Sequence, residues 1–178
     1  MKKLHFGCGQ NKFGGWVNSD ILSSADVHHD VTGRWPFLDN EFDLVYSEHV
    51  LEHFDLKTGR HILSEAFRVL IPGGTLRIAI PDLDYVVKMY KSKDWKNQDW
   101  IQNYGYKDII LTPCEMLNTA LRDWGHTFVY DADQLFIEFA RAGFHKTVQM
   151  ENGKSKIQDL MNLETRVDSR LVVEGVKP

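Results

Sequence analysis

Leu4-His5-Phe6-Gly7-Cys8-Gly9, with Trp16-Val17-Asn18-Ser19-Asp20 beginning after six intervening residues, is the stretch on which the fold turns. A short apolar run that stops at Gly-x-Gly predicts a buried strand ending in a tight turn. Glycines at such a turn let the backbone approach a ligand closely and leave N–H groups free to face a carboxylate or phosphate. In an α/β sheet, that rim beyond the carboxyl ends of the strands is where ligands bind. Asp20 ends the second run, where a carboxylate can accept both hydroxyls of a ribose. Taken alone, the two glycines serve equally well as a plain turn and Asp20 as a strand cap. A dinucleotide fingerprint would need a third glycine at position 12, which is Lys12.

Working outward, Ala25 to Asp30 is a weaker third strand, and Phe42-Asp43-Leu44-Val45-Tyr46 a better fourth, entered through Asp39-Asn40. Ile62, Leu63, Ala66, Phe67 and Leu70 recur at helical spacing after Asp55, a good N-cap, and Pro72-Gly73-Gly74 is the expected stop. Thr75 to Ile80 predicts a buried strand. Asp131, with Gln134 three residues on, opens a helix whose stripe is Leu135, Phe136, Phe139 and Ala140 and whose stop is Gly143. Strands follow near Phe144–Met150 and Arg170–Val176. Strands alternating with helices imply an α/β layer fold with a mainly parallel sheet. Residues 83–125 break the alternation and hold Tyr85, Tyr90, Trp95, Trp100, Tyr104, Tyr106 and Trp124. They form an insertion at the carboxyl end of the sheet, placed as a lid over a ligand site.

A chain of 178 residues suits a single domain, 1–178, that carries this lid. Its 43% hydrophobic and 26% charged composition is that of a globular protein. A net charge of −4 argues against stable nucleic-acid binding. Cys8 and Cys114 cannot build a disulfide framework and read as free thiols. No apolar run approaches the roughly 20 residues of a membrane helix, and Met1 to Cys8 has no signal-peptide core, so a cytoplasmic location is expected.

These motifs resemble, in order, those of the class I S-adenosylmethionine (SAM)-dependent methyltransferases. Leu4 to Gly9 and Gly15 to Ile21 are similar to the first two. Asp30-Val31 resembles the adenine-side motif. Trp35-Pro36-Phe37-Leu38-Asp39-Asn40-Glu41-Phe42-Asp43 resembles the approach to strand four, and Ser47-Glu48-His49-Val50-Leu51-Glu52-His53 the motif after it. Arg68-Val69-Leu70-Ile71-Pro72-Gly73-Gly74 is similar to the family's R-V-L-K-P-G-G, with Ile71 replacing lysine; Gly125-His126 and Tyr130 to Phe144 resemble its last helix unit. The likeness is strongest to a short bacterial and viral branch associated with glycan synthesis. It implies a Rossmann-like seven-stranded sheet whose last strand is antiparallel, and SAM as cofactor. Phe6, Gly7, Cys8 and Gly9 would cradle its methionine part. Asp20 would hold the ribose, Ile21 would pack on the adenine, Asp30 and Val31 would meet the adenine edge, and Ser47 and Glu48 would lie near the methyl donor. One departure matters. Only ten residues separate Gly9 from Asp20, against roughly twenty in a full nucleotide-binding unit. The first helices must be shortened or missing, which leaves the site for the 83–125 lid or a homodimer partner to complete.

Methyl transfer from a sulfonium is a displacement in which positioning supplies much of the rate, and an oxygen or nitrogen nucleophile can need a base. Candidates on the rim are His49, Asp82 and His126, with Asp84, Asp123 and Tyr106 as second choices; a capping or solvent-exposed role is the plain alternative for each. His49-x-x-Glu52-His53 also matches the H-x-x-E-H pattern of inverted zinc peptidases, in which two histidines four apart share a helix face. A third ligand is not evident and no metal is expected. Lys88, Lys91, Lys93, Lys96 and Lys107 among the lid aromatics suit a sugar or base beside a phosphate. The expected activity is methyl transfer to an oxygen or nitrogen of a small polar acceptor, a carbohydrate or nucleotide sugar. The alternatives are a SAM-binding module or activating subunit without catalysis and, further off, a zinc hydrolase using His49 and His53.

Overall fold

The computed structural model describes residues 1–178. Seven strands form one sheet: β1 (Lys3–Phe6), β2 (Val17–Asp20), β3 (Val27–His28), β4 (Phe42–Glu48), β5 (Leu70–Ile80), β6 (His145–Met150) and β7 (Leu171–Val176). Their order across the sheet is β3-β2-β1-β4-β5-β7-β6, parallel from β3 to β5, with β7 antiparallel to both its neighbours. The order reverses between β1 and β4. Ligands bind at such a switch point, because the connections leave the two strands in opposite directions and open a crevice.

The first helices are absent rather than shortened. The chain passes from β1 to β2, from β2 to β3 and from β3 to β4 through turns alone. The third strand is two residues long, with His28 exposed and His29 buried, so the adjacent histidines face opposite ways.

One face of the sheet is covered by α1 (Leu56–Val69) and α5 (Ala132–Ala142). Leu4, Phe6, Ile62, Leu63, Ala66, Leu135 and Phe139 are buried between them. Each of the leucine, isoleucine and phenylalanine side chains contributes about 1.5–3 kcal/mol of hydrophobic stabilisation. The opposite face carries Leu44, Tyr46, Ala79 and Val172 and is covered by Phe13, Trp16, Ile157, Leu160 and Leu163 from connecting segments. Fully buried Arg77 of β5 ties those segments down. Its guanidinium donates to Glu164 at 2.7 Å, Glu174 at 2.6 Å and the Lys154 carbonyl at 2.8 Å.

Asp55 caps α1 by accepting from the Thr58 N–H at 2.7 Å. The helix stops at Val69, and Pro72-Gly73-Gly74 lies inside β5, where the pairing with β4 slips between Phe42 and Leu44. Backbone pairing explains the early stop: Lys177 exchanges bonds with Gly73 and Gly74, while its ammonium donates to the Phe67 and Leu70 carbonyls at the helix end. Asp131 caps α5 through the Gln134 N–H at 2.8 Å, but Gln134 donates its amide to Glu138 and does not return to the cap. Gly143 closes that helix in the left-handed conformation.

The 83–125 insertion is helical: α2 (Leu83–Lys91), α3 (Asp99–Asn103) and α4 (Pro113–Arg122). Val86, Trp100, Ile101, Ile110, Met116 and Ala120 give it a small core of its own. A full capping box, Thr112 with Glu115, opens α4. No helix is long and apolar enough to cross a membrane.

Candidate functional site

Gly7 and Gly9 follow β1 at the switch point, with φ of 65° and 52°. A side chain at Gly7 would place its Cβ 2.2 Å from Cγ2 of Val50, so the turn packs directly on the segment after β4. Asp20, at the end of β2, reaches across the turn. One carboxylate oxygen accepts from the Gly9 N–H at 2.8 Å and the other from the Leu22 N–H at 3.0 Å. Each oxygen keeps acceptor capacity beyond that bond. Asp30 is exposed and uses one oxygen on the Thr32 N–H and hydroxyl, which holds its carboxyl below the usual carboxylate range.

Gly7, Gly9, Asp20, Ile21, Asp30 and Val31 line one open cleft of about 480 Å³. Ile21 is 63% exposed at its edge, a free apolar surface suited to the face of a base. Other candidates stand elsewhere. Phe6 is wholly buried against Trp35, so its side chain serves the core and only its backbone borders the turn. Cys8 and Glu48 face an adjoining hollow that shares Gly7 and Gly9 with the cleft. Burial raises the Cys8 thiol, which therefore stays protonated. The Ser47 hydroxyl is buried and unbonded and lines none of these cavities.

Glu48 has a structural task. Its carboxylate accepts from the Thr165 N–H and hydroxyl, the Arg166 N–H and the Ser169 hydroxyl, at 2.6–3.0 Å. Burial opposes its ionisation, but these bonds outweigh burial and hold its carboxyl below the usual value. The 165–169 loop is thereby fastened over the rim, and Arg166 lines the cleft.

Beside the cleft lies a second pocket of about 270 Å³, lined by His49, His53, Tyr104, Trp124, His126, Arg166 and Asp168. His49, His53 and Arg166 belong to both. His49 and Trp124 hold left-handed backbone, φ 52° and 57°, which is uncommon for residues with side chains. His126 donates from Nδ1 to the Ala120 carbonyl at 2.9 Å, and burial lowers its pKa. Asp82 caps α2 through the Asp84 N–H at 3.0 Å and is raised by burial; it shares a smaller hollow with His126 and Asp168. His49 and His126 thus share the second pocket, whereas Asp82 meets His126 only in the smaller hollow. Asp84 is exposed and paired with Lys88 at 2.6 Å, Asp123 is exposed, and Tyr106 packs edge-on against Trp100 and Trp124. Residues 51–53 form a 3₁₀ turn, so the same-face rule that would pair His49 with His53 on an α-helix does not apply.

Residues 15–78 match the family described as Methyltransferase domain. Across 99% of the chain the structure superposes on a SAM-dependent methyltransferase of Archaeoglobus fulgidus with a TM-score of 0.62, at 14% identity and over 86% of that chain. A SAM-dependent methyltransferase of Thermotoga maritima gives 0.58 at 15% identity, over 99% of this chain and 82% of that one. The fold is that of the SAM-dependent methyltransferases. A curated relative, the phosphoethanolamine N-methyltransferase of Plasmodium falciparum, is 24% identical over 160 residues, 80% of this chain; the chain spans 56% of that relative's length.

SAM is the cofactor that this methyltransferase fold and family match imply, and the cleft fits it. Its volume lies in the roughly 300–1,000 Å³ range of small-molecule sites. Its glycine turn admits a close-packed ligand and its acid stands at the end of β2. Within this methyltransferase fold, Arg166 and Asp168 are site residues that the sequence motifs did not indicate. Arg166 and Asp168 sit in an irregular segment with no periodic signal, more than a hundred residues from the rim motif that fastens them.

Proposed function

We propose that the chain transfers the methyl group of SAM to an oxygen or nitrogen of a small polar acceptor that carries a phosphate, with a nucleotide sugar as the first candidate. The observation that carries this is the sharing of His49, His53 and Arg166 between the cofactor cleft and the aromatic pocket. An acceptor in the second pocket would abut a methyl donor in the first. Bound SAM supplies an activated methyl on a positive sulfur. The chain's own residues then have to align the acceptor and take up its proton. The side chains of Trp124 and Tyr104 offer faces for a sugar or base. Arg166 makes no ion pair within the chain and offers its fork to a phosphate. His49 borders both pockets and is the base candidate that stands between donor and acceptor, while His126 is fixed through Nδ1 on the Ala120 carbonyl. The Plasmodium relative acts on phosphoethanolamine, also a small phosphate-bearing molecule, which makes that compound the second candidate.

The test has two stages. Calorimetric titration with S-adenosylhomocysteine should show micromolar binding by the wild type and its loss in Asp20→Ala. Methyl transfer from labelled SAM is then screened with nucleotide sugars and phosphoethanolamine. Binding without transfer to any acceptor class would favour a non-catalytic SAM-binding module. No binding would overturn the cofactor assignment.

A further inference from the structure

Glu52 is fully buried, and neither carboxylate oxygen finds a hydrogen-bond donor. A buried unpaired carboxylate is strongly unfavourable unless a cation or a proton satisfies it. Ligand atoms of Glu52, His53 and His126 all lie within 4.8 Å of one another. We infer that Glu52, His53 and His126 form a binding site for a divalent transition-metal ion beside the acceptor pocket.

The chemistry of the set favours such an ion. Two imidazoles and one carboxylate suit Zn²⁺, Fe²⁺ or Co²⁺, and a three-ligand protein site leaves positions open for water or an acceptor. Each arm is held in place. His126 donates from Nδ1 to the Ala120 carbonyl, the outer bond that fixes a ligating histidine's tautomer and leaves Nε2 as the donor atom. The two segments that carry the ligands are laced together: Thr127 and Phe128 donate their N–H groups to the Glu52 carbonyl at 2.8 and 3.2 Å, and the Thr127 hydroxyl donates to the His53 carbonyl at 3.0 Å. The rings of His53 and His126 meet edge to face with centroids 5.2 Å apart. The competing partner for Glu52 is His49, whose Nδ1 stands 3.0 Å from one oxygen but is not aligned as a hydrogen bond. Protonated His49 would satisfy the carboxylate without a metal, and the two cases differ in measurable ways. Because His53 and His126 also border the acceptor pocket, an ion held here stands next to the acceptor.

The untagged chain is stripped with EDTA, freed of chelator and titrated with Co²⁺ alone. One equivalent should bind with visible ligand-field bands, be displaced by Zn²⁺ and raise the thermal midpoint. Glu52→Gln, His53→Ala and His126→Ala should each weaken binding by at least about tenfold, and His28→Ala, on the exposed side of β3, should leave it unchanged. Should a histidine variant lose its far-UV circular dichroism, X-ray absorption of the Zn²⁺-loaded wild type decides, with two imidazoles expected around the ion. Absence of Co²⁺ binding, binding indifferent to all three substitutions, or a zinc shell without imidazole would overturn the site.

Discussion

Glu48 holds Arg166 by its backbone: the carboxylate at the end of β4 accepts the Arg166 N–H at 3.0 Å, while Arg166 lines both the open cleft and the aromatic pocket. This acid of the rim motif therefore reaches the cleft through a loop more than a hundred residues later. Removing it leaves the Thr165, Arg166 and Ser169 donors without their shared acceptor. Glu48→Ala should destabilise the chain by about 2–4 kcal/mol and weaken S-adenosylhomocysteine binding. Because the folded carboxyl is held low, its contribution is present above the ordinary glutamate value and is lost as pH falls through the lower folded one. Urea unfolding of wild type and variant at neutral and acid pH checks this: the gap between them should narrow on the acid side.

Arg166 itself is exposed, so its loss should leave stability within about 0.5 kcal/mol. On the proposed function, Arg166→Ala should raise KM for a phosphate-bearing acceptor by about 10–100-fold, with a smaller change in kcat. Arg166→Lys keeps the charge but not the planar fork, and should restore only part of the affinity. Equal KM values for phosphorylated and unphosphorylated acceptors in the wild type would remove Arg166 from acceptor recognition.

Gly7 tests the cradle. An alanine there meets Val50 at 2.2 Å and must also hold a φ of 65°. Gly7→Ala should cost about 1–3 kcal/mol and lower S-adenosylhomocysteine affinity. Adding Val50→Ala relieves the clash and not the backbone strain, so the double variant should recover part of the loss in calorimetry. A double variant no better than the single would place the whole effect in the backbone.

The parts of the fold legible in the sequence are those with local signals. The Gly-x-Gly turn, the Asp20 strand end, the Asp55 and Asp131 caps and the Gly143 stop each depend on residues within a few positions, and each stands where its chemistry puts it. Pro72-Gly73-Gly74 misled because its strand conformation is imposed by Lys177, a hundred residues away. The site was half legible for the same reason. Gly7, Gly9, Asp20, Ile21, Asp30 and Val31 lie in short consecutive motifs and share a cleft. Arg166 and Asp168 come from an aperiodic loop, and Glu48, legible as a rim acid, turns inward to hold that loop. The H-x-x-E-H spacing suggested partners on a helix, whereas the 3₁₀ turn groups His53 with Glu52 and with His126 from another segment.

His5 gives the chain an acid sensitivity of its own. It lies on β1, 3% exposed, stacked on Phe13 with centroids 4.4 Å apart and near Tyr46. Burial is the main cause that brings its pKa down to about 4. An unfolded histidine takes up its proton near pH 6.5, whereas the folded one waits until about 4. Between those values the unfolded state binds more protons, so stability falls as pH falls across that window and levels off below it. The loss from this one group is at most about 3 kcal/mol. Carboxyls held low, among them Glu65 and Glu138, add their own loss at lower pH in any variant that keeps them. A difference measurement therefore isolates the histidine. His5→Phe keeps the aromatic stack and removes the titration, so its stability relative to wild type, from urea unfolding at pH 7.5 and 4.5, should rise at the lower pH by about 2 kcal/mol. A difference that stays constant between the two pH values would show that His5 is protonated at the same pH in both states, and that the stack on Phe13 does not exclude its charge.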